Sequence, residues 1–321
     1  MTRQRWIVLI VILVIFGLGI LVEALWGTFG QEATDDPLEW EEMVITGEGD
    51  NKIVQLFVTG IISGEAGGAG TPPMTEILSA QLRHIEEDES VKGVVLRIDT
   101  PGGEVVATDE IHQRLMRMKQ KRSIPVVVSM GSTAASGGYY LATAGDRIFA
   151  NRNTITGSLG VIFTLPNYAK TASRFGLREY VIKSGKYKDI GNPMRPLQPD
   201  EQRIFQTLVN ESYQNFVDVI VQGRKLPRGR VLDIADGRVY SGMQAKALGL
   251  VDEFGDLDAA TDYARNLAGD PDAQVVRYTE TFSLEHLLFG LQKRLTGEDP
   301  FGLKRLIDQH SAPRLLYQYL P

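Results

Sequence analysis

The run Val94-Val95-Leu96-Arg97-Ile98-Asp99-Thr100-Pro101-Gly102-Gly103 decides the fold. Its first half, Val94–Ile98, has the apolar, β-branched character of a buried strand. Its second half cannot continue one, because Pro101 lacks an N–H donor and two glycines let the backbone turn sharply. Beyond the turn, Val105, Ile111, Leu115 and Met118 recur at helical spacing, so the run reads as strand, tight turn, helix. Upstream, the apolar run Ile53–Val58 and the helical set Leu78, Leu82 and Ile85, behind a candidate Thr75 cap, show the same alternation. Downstream, Val126–Met130 reads as a strand, a short helix is expected around Tyr140, and Ile148–Ala150 reads as another strand. Strands alternating with helices at this spacing predict an α/β fold with parallel pairing and right-handed crossovers.

Further out the pattern changes. A long helix is expected from Pro199, carrying Ile204, Leu208, Phe216 and Ile220 on one face. Ser241 and Gln244 form a capping-box pattern, and Gly249 sits where that helix would end. From about residue 272 the chain reads as an extension, with an amphipathic stretch at Leu284–Leu295 and an apolar end at Leu315–Leu320. That end is read as a packing element, the alternative being a plug in the protein's own substrate groove.

At the other terminus, Trp6–Val22 runs without a charge or a hydroxyl, and apolar character resumes at Ala24, Leu25 and Trp26. About 20 residues of helix cross a hydrocarbon core, which Trp6–Trp26 supplies. Arg3 and Arg5 precede the run and Glu32, Asp35 and Asp36 follow it, an asymmetry that places the N-terminus in the cytoplasm and the remainder outside. The expectation is a single-pass protein of the cell membrane, with a cleaved signal peptide ending near Val22 and Ala24 as the competing reading. The expected organisation is a cytoplasmic N-terminus at 1–5, a transmembrane anchor at 6–26, an acidic juxtamembrane linker at 27–50, one globular domain at 51–270 and a C-terminal extension at 271–321.

The net charge of -6 in 321 residues, with lysines and arginines scattered among acids, argues against a nucleic-acid binder. The absence of cysteine excludes disulfides and thiolate catalysis. The acids and the four histidines show no metal-ligand spacing, and no cofactor or metal site is expected.

Two segments carry candidate chemistry. The turn Asp99–Gly103 presents bare N–H groups at a strand-to-helix junction, where they can hold a developing oxyanion or simply make a structural turn. The stretch Gly131-Ser132-Thr133-Ala134-Ala135-Ser136-Gly137-Gly138-Tyr139-Tyr140 ends a second strand, and small residues flank Ser136 on both sides. A serine on a tight strand-to-helix turn is the geometry of a nucleophile, with Ser132 as the rival in the same loop. No histidine lies between Ser136 and His286, and His112 sits on an expected helix with a charged face, so it is read as solvated. A lysine whose amine is desolvated can serve as the base instead, and Lys183, Lys186 and Lys188 are the candidates.

Together these segments resemble the signal peptide peptidase A family, whose fold is related to the ClpP protease and the crotonases. The similarity covers roughly residues 50 to 265. The resemblance implies a spiral of ββα units with Ser136 as nucleophile and Lys188, immediately before Asp189, as a general base buried among apolar groups. It further implies that Ser158, within Thr156-Gly157-Ser158-Leu159-Gly160, orients the lysine, and that the N–H groups of Gly103 and Gly137 form the oxyanion hole. Each motif occurs once, which resembles the short form of the family. Short forms are expected to assemble into a homo-oligomeric ring or dome whose sites take serine and lysine from neighbouring protomers. The implied activity is a serine endopeptidase acting on membrane-derived peptides such as cleaved signal peptides. A crotonase-like acyl-CoA enzyme and a catalytically silent membrane scaffold are the alternatives.

Overall fold

The computed structural model describes residues 40–66, 72–280 and 315–319. The expected anchor at 6–26 and the amphipathic stretch at 284–295 lie outside the described residues. Among those described, no helix is long and apolar enough to cross a membrane.

In chain order the elements are β1 (Trp40–Thr46), β2 (Lys52–Thr59), α1 (Met74–Glu87), β3 (Val91–Thr100), β4 (Gly102–Glu104), α2 (Val105–Arg122), β5 (Val126–Ala135), α3 (Gly137–Ala142), β6 (Arg147–Ala150), β7 (Ile155–Gly157) and β8 (Ile162–Phe163). There follow α4 (Ala169–Arg174), α5 (Pro199–Arg224), α6 (Arg228–Ile234), β9 (Val239–Ser241), α7 (Gly242–Leu248), β10 (Glu253–Phe254), α8 (Leu257–Ala268), β11 (Gln274–Glu280) and β12 (Leu315–Gln318).

The main sheet runs β1-β11-β2-β3-β5-β6-β10, and every pair from β11 to β10 is parallel, as the alternation of strands and helices requires. Its central strands are buried on both faces. Val94, Leu96 and Ile98 of β3 join Val126 and Val128 in the larger core, with Leu82 and Ile85 of α1 and Ile111 and Leu115 of α2. Val95, Ile53 and Val127 point the opposite way, into a smaller core closed by Ala260 and Ala264 of α8. This explains why the strands read as continuous apolar runs rather than alternating ones. Each such aliphatic side chain contributes about 2 kcal/mol of burial.

Two expectations about element edges change. Thr75 lies inside the first turn of α1, whose N-cap is Pro73 with no side-chain cap bond. Proline fixes the entry angle here, so a hydroxyl cap is not required. The stretch expected as linker includes β1, which pairs antiparallel with β11 at the edge of the sheet. It has no fully buried position, only Trp40 and Glu42 being partly covered, and it follows an acidic stretch, so it reads locally as linker. The capping box at Ser241 and Gln244 is present, with bonds of 2.9 and 3.2 Å, and Gly249 closes α7 at φ 81°.

The strand β5 departs from simple pairing in a way that builds the site. Ile98 pairs with Met130, but Thr100 pairs with Ala134, so β5 bulges through Gly131–Thr133. The Thr133 N–H donates to Asp99 Oδ1 at 2.9 Å across this bulge. Beyond it β5 turns onto β7, with Ala135 opposite Gly157, while β7 pairs on its other edge with β9. A separate small sheet, β4-β12-β8, lies at the same end of the molecule.

Candidate active site

The bulge separates the two candidate serines. Ser132 lies within it and is exposed, whereas Ser136 follows the end of β5 and is 1% exposed. Ser136 has φ 54° and ψ -114°, a strained conformation for a residue with a Cβ, and its N–H donates to Gly157 at 2.8 Å. Its carbonyl accepts from Tyr140 in α3 at 2.9 Å, which fixes the strand-to-helix turn. The Ser136 Oγ is buried and finds no hydrogen-bond partner among the described residues. A buried hydroxyl without a partner costs about 1–3 kcal/mol, and such groups persist where chemistry requires them.

The Pro-Gly-Gly turn stands directly against it. Gly102 has φ 100°, in the left-handed region that glycine tolerates, and its N–H donates to Thr100 Oγ1 at 3.0 Å. The Thr100 hydroxyl in turn bonds the Gly60 carbonyl. On Gly137 a Cβ would lie 3.2 Å from Gly102 Cα, so the two backbones touch. The expected oxyanion donors, Gly103 and Gly137, therefore belong to two segments that pack together beside Ser136.

Ser158 is brought to the same place by register. One residue past the Ala135–Gly157 pair lie Ser136 on one strand and Ser158 on the other. Ser158 has φ 51°, is 8% exposed, and its N–H donates to Arg238 at 2.8 Å. The segment around Arg238 thus braces this serine.

The lysines divide clearly. Lys183 Nζ pairs with Asp189 at 2.5 Å, and Lys186 pairs with Asp200. The hydrogen bond from Lys186 to Asp200 raises its pKa, which favours the charged form. Lys188 has no acidic partner among the described ion pairs, and only its backbone N–H is engaged, with Gly185 at 3.1 Å. The expectation that Lys188 is buried among apolar groups does not hold within one chain. Lys188 is exposed on the loop following α4, and no described hydrogen bond links it to Ser136. Apolar residues earlier in the same stretch, Phe175 and Tyr180, are themselves 77% and 83% exposed.

His112 is also placed differently from expectation. It is half-buried behind α3, with Nε2 3.1 Å from Thr143 Oγ1 and its ring edge-on to Tyr140 at 5.1 Å. Burial pushes its pKa down to about 4. The unfolded chain binds this proton from about pH 6.5 downward, so stability is full above that pH and is lost as pH falls toward 4. The expected loss is about 2 kcal/mol, allowing for partial solvent screening. Urea midpoints at pH 7 and pH 4.5 measure it, and His112→Gln should flatten the difference.

Residues not singled out by sequence complete the site. Tyr317 of β12 lies 1% exposed beside Tyr140 and Phe216, and β12 runs antiparallel to β4 with Tyr317 opposite Gly103. The sequence offers Leu315–Leu320 as a packing element or as a plug in the protein's own groove, and its described part pairs with β4 and β8 next to the Pro-Gly-Gly turn.

Known proteins match this arrangement. The family model for peptidase family S49 matches residues 118–269, and that for Clp protease matches residues 55–158. A protein of Enterococcus faecium assigned the name signal peptide peptidase SppA is 34% identical across 87% of this chain and 85% of its own. A protein of Synechocystis assigned as a protease is 43% identical across 69% of this chain and 76% of its own. The chloroplastic serine protease SPPA of Arabidopsis thaliana is 33% identical across 81% of this chain, which spans only 39% of that longer protein. Similarity at this level, extending along most of both chains in the shorter relatives, means that this chain belongs to peptidase family S49 and is a serine peptidase of the short signal peptide peptidase A type.

Proposed function

We propose that this serine peptidase is an endopeptidase anchored in the cell membrane by residues 6–26, cleaving membrane-derived peptides such as spent signal peptides on the extracytoplasmic side. Ser136 is the nucleophile, Lys188 of a neighbouring copy is the general base, Ser158 holds that lysine, and the N–H groups of Gly103 and Gly137 receive the oxyanion. The observation that carries this reading is the Ser136 hydroxyl, buried with no hydrogen-bond partner among the described residues, on a strained turn against the Gly102 backbone. The shared dyad is supported by the exposure of Lys188, by its lack of an acidic partner among the described ion pairs, and by the exposed apolar residues of its loop, which a second copy would cover.

In this reading Ser136 Oγ attacks the peptide carbonyl carbon as its proton passes to neutral Lys188 Nζ. The oxyanion collapses, the leaving amine takes that proton, and an acyl-serine remains. Water, deprotonated by the same lysine, then attacks the ester, releasing the carboxylic acid and returning the proton to Ser136. Docking of an apolar surface around Lys188 would desolvate its ammonium and favour the neutral form required of a base.

The test is hydrolysis of a fluorogenic apolar peptide ester by the detergent-solubilised full chain. Ser136→Ala and Lys188→Ala should each lose about 10³-fold or more, whereas Lys183→Ala and Lys186→Ala keep most activity. Co-expression of the first two variants should restore part of the activity. An inactive co-assembly would place both groups in one chain, and full activity in Lys188→Ala would remove this lysine from the mechanism.

A further inference from the structure

Ser132 and Ser136 belong to one small-residue stretch, and the β5 bulge decides which of them is buried. Between the pairs Ile98–Met130 and Thr100–Ala134, β3 has a single residue, Asp99, where β5 has Gly131, Ser132 and Thr133. A regular parallel ladder would set Thr100 against Ser132 instead. Ser136 would then stand two residues, about 6.6 Å, away from its place beside the Pro-Gly-Gly turn. Whatever holds the bulge therefore fixes where the serine stands.

Residues in a bulge lose their ladder partners, and here side chains replace them. Asp99 Oδ1 accepts the Thr133 N–H at 2.9 Å. Its carboxyl stands directly against Gly131, where a Cβ would come 2.5 Å from Asp99 Cγ. Asp99 is itself fixed, because its carbonyl accepts the Gly60 N–H at 3.2 Å. From the segment between β6 and β7, the Thr154 hydroxyl donates to the Gly131 carbonyl at 2.8 Å and accepts the Asn151 N–H at 3.1 Å. Thr154 is 1% exposed. Beyond the bulge, the Thr156 hydroxyl donates to the Ala134 carbonyl at 2.6 Å, which ties the last residues before Ser136 to β7. No described hydrogen bond joins Asp99 to Ser136, so any influence of the carboxylate on the serine runs through the backbone.

We propose that Asp99 is a positioning residue for the peptidase reaction, its carboxylate oxygen serving as the acceptor that holds the β5 bulge and so places Ser136 against the oxyanion turn, with Thr154 as the second hold. This rests on the reading of Ser136 as nucleophile. The acceptor matters here, and the charge does not, since the group it meets is a neutral backbone N–H. The Pro-Gly-Gly turn keeps its own supports, the Gly102 N–H on Thr100 Oγ1 and the Ile62 N–H on the Gly102 carbonyl. Loss of the acceptor should thus misplace the nucleophile and leave the groove beside β4 in place, lowering kcat without raising KM.

Asp99→Asn keeps the acceptor and removes the charge, whereas Asp99→Ala removes both. With the apolar peptide ester and the detergent-solubilised full chain, Asp99→Asn should hold kcat within about threefold, and Asp99→Ala should lose about 10²-fold in kcat with KM within about twofold. Rates are expressed per site labelled to completion by a serine-directed phosphonate, so that a misfolded fraction does not pass for a slow one. A second arm needs no turnover. In a Ser136→Ala background, amide hydrogen exchange over residues 131–135 should quicken about tenfold or more on Asp99→Ala and keep the parent rate on Asp99→Asn. If Asp99→Ala does not fold, Thr154→Val carries both measurements, with the same loss in kcat at constant KM and recovery in Thr154→Ser. Asp99→Asn as slow as Asp99→Ala would assign the effect to charge and overturn the proposal. Parent kcat per labelled site in Asp99→Ala, or in Thr154→Val where that variant replaces it, would overturn it too. Continued hydrolysis in Ser136→Ala would instead remove the nucleophile reading, while the exchange order would still decide what holds the bulge.

Discussion

Ser136→Ala is expected to lower kcat by about 10⁴-fold or more while leaving the protein at least as stable as the parent. The two effects have one cause. In the proposed mechanism the hydroxyl is the nucleophile, and it is also a buried polar group with no partner among the described residues. Alanine keeps the Cβ in the same strained backbone but removes the unsatisfied oxygen, which should return about 1 kcal/mol. Activity on a peptide ester and urea unfolding of the same preparation check both halves. Ser132→Ala, in the exposed bulge, should change neither. Retained hydrolysis in Ser136→Ala, or its loss in Ser132→Ala, would assign the chemistry to the wrong serine.

Gly103→Ala should damage both fold and catalysis. The new methyl would drive into the Ile62 carbonyl, which accepts the Glu104 N–H at 2.9 Å. The Ile62 N–H donates to the Gly102 carbonyl, also at 2.9 Å, so the obstruction is backbone and cannot rotate aside. The turn must shift, at an expected cost of about 2–4 kcal/mol. In the proposed mechanism this turn carries an oxyanion donor, whose displacement should cost a further factor of about 10²–10³ in kcat. The control is Gly229→Ala, where an added Cβ meets nothing within 4 Å and stability should hold within about 0.5 kcal/mol. Wild-type kcat in a folded Gly103→Ala protein would exclude this N–H from the oxyanion hole.

Much of the architecture was legible because its determinants are local. The apolar runs at Val94–Ile98 and Val126–Met130 are long and β-branched, and each ends in small residues that cannot extend a strand. The glycines of the Pro-Gly-Gly turn announced a sharp turn with bare N–H groups, and the structure packs that turn against Gly137. The edge strand β1 was not legible, because a strand with no fully buried position and its partner more than 220 residues away resembles a polar linker. The proposed base was legible from the residues alone only as a choice among three lysines. Ion pairs with Asp189 and Asp200 occupy two of them, and those pairs depend on how the loop folds rather than on its composition.

The sequence by itself determined the parallel α/β sheet, the small-residue turns at its strand ends, and a serine on one of those turns. Periodicity and backbone freedom act over a few residues and need no distant partner. Only the tertiary structure decided which serine is buried, since the β5 bulge exposes Ser132 and turns Ser136 inward. It also decided that Ser158 stands beside Ser136, through the register of β5 and β7, and that Tyr317 lies opposite Gly103, packed against Tyr140 and Phe216. Those placements arise from pairing between segments about 20 to more than 200 residues apart, and contacts at such separation leave no periodic trace in the chain.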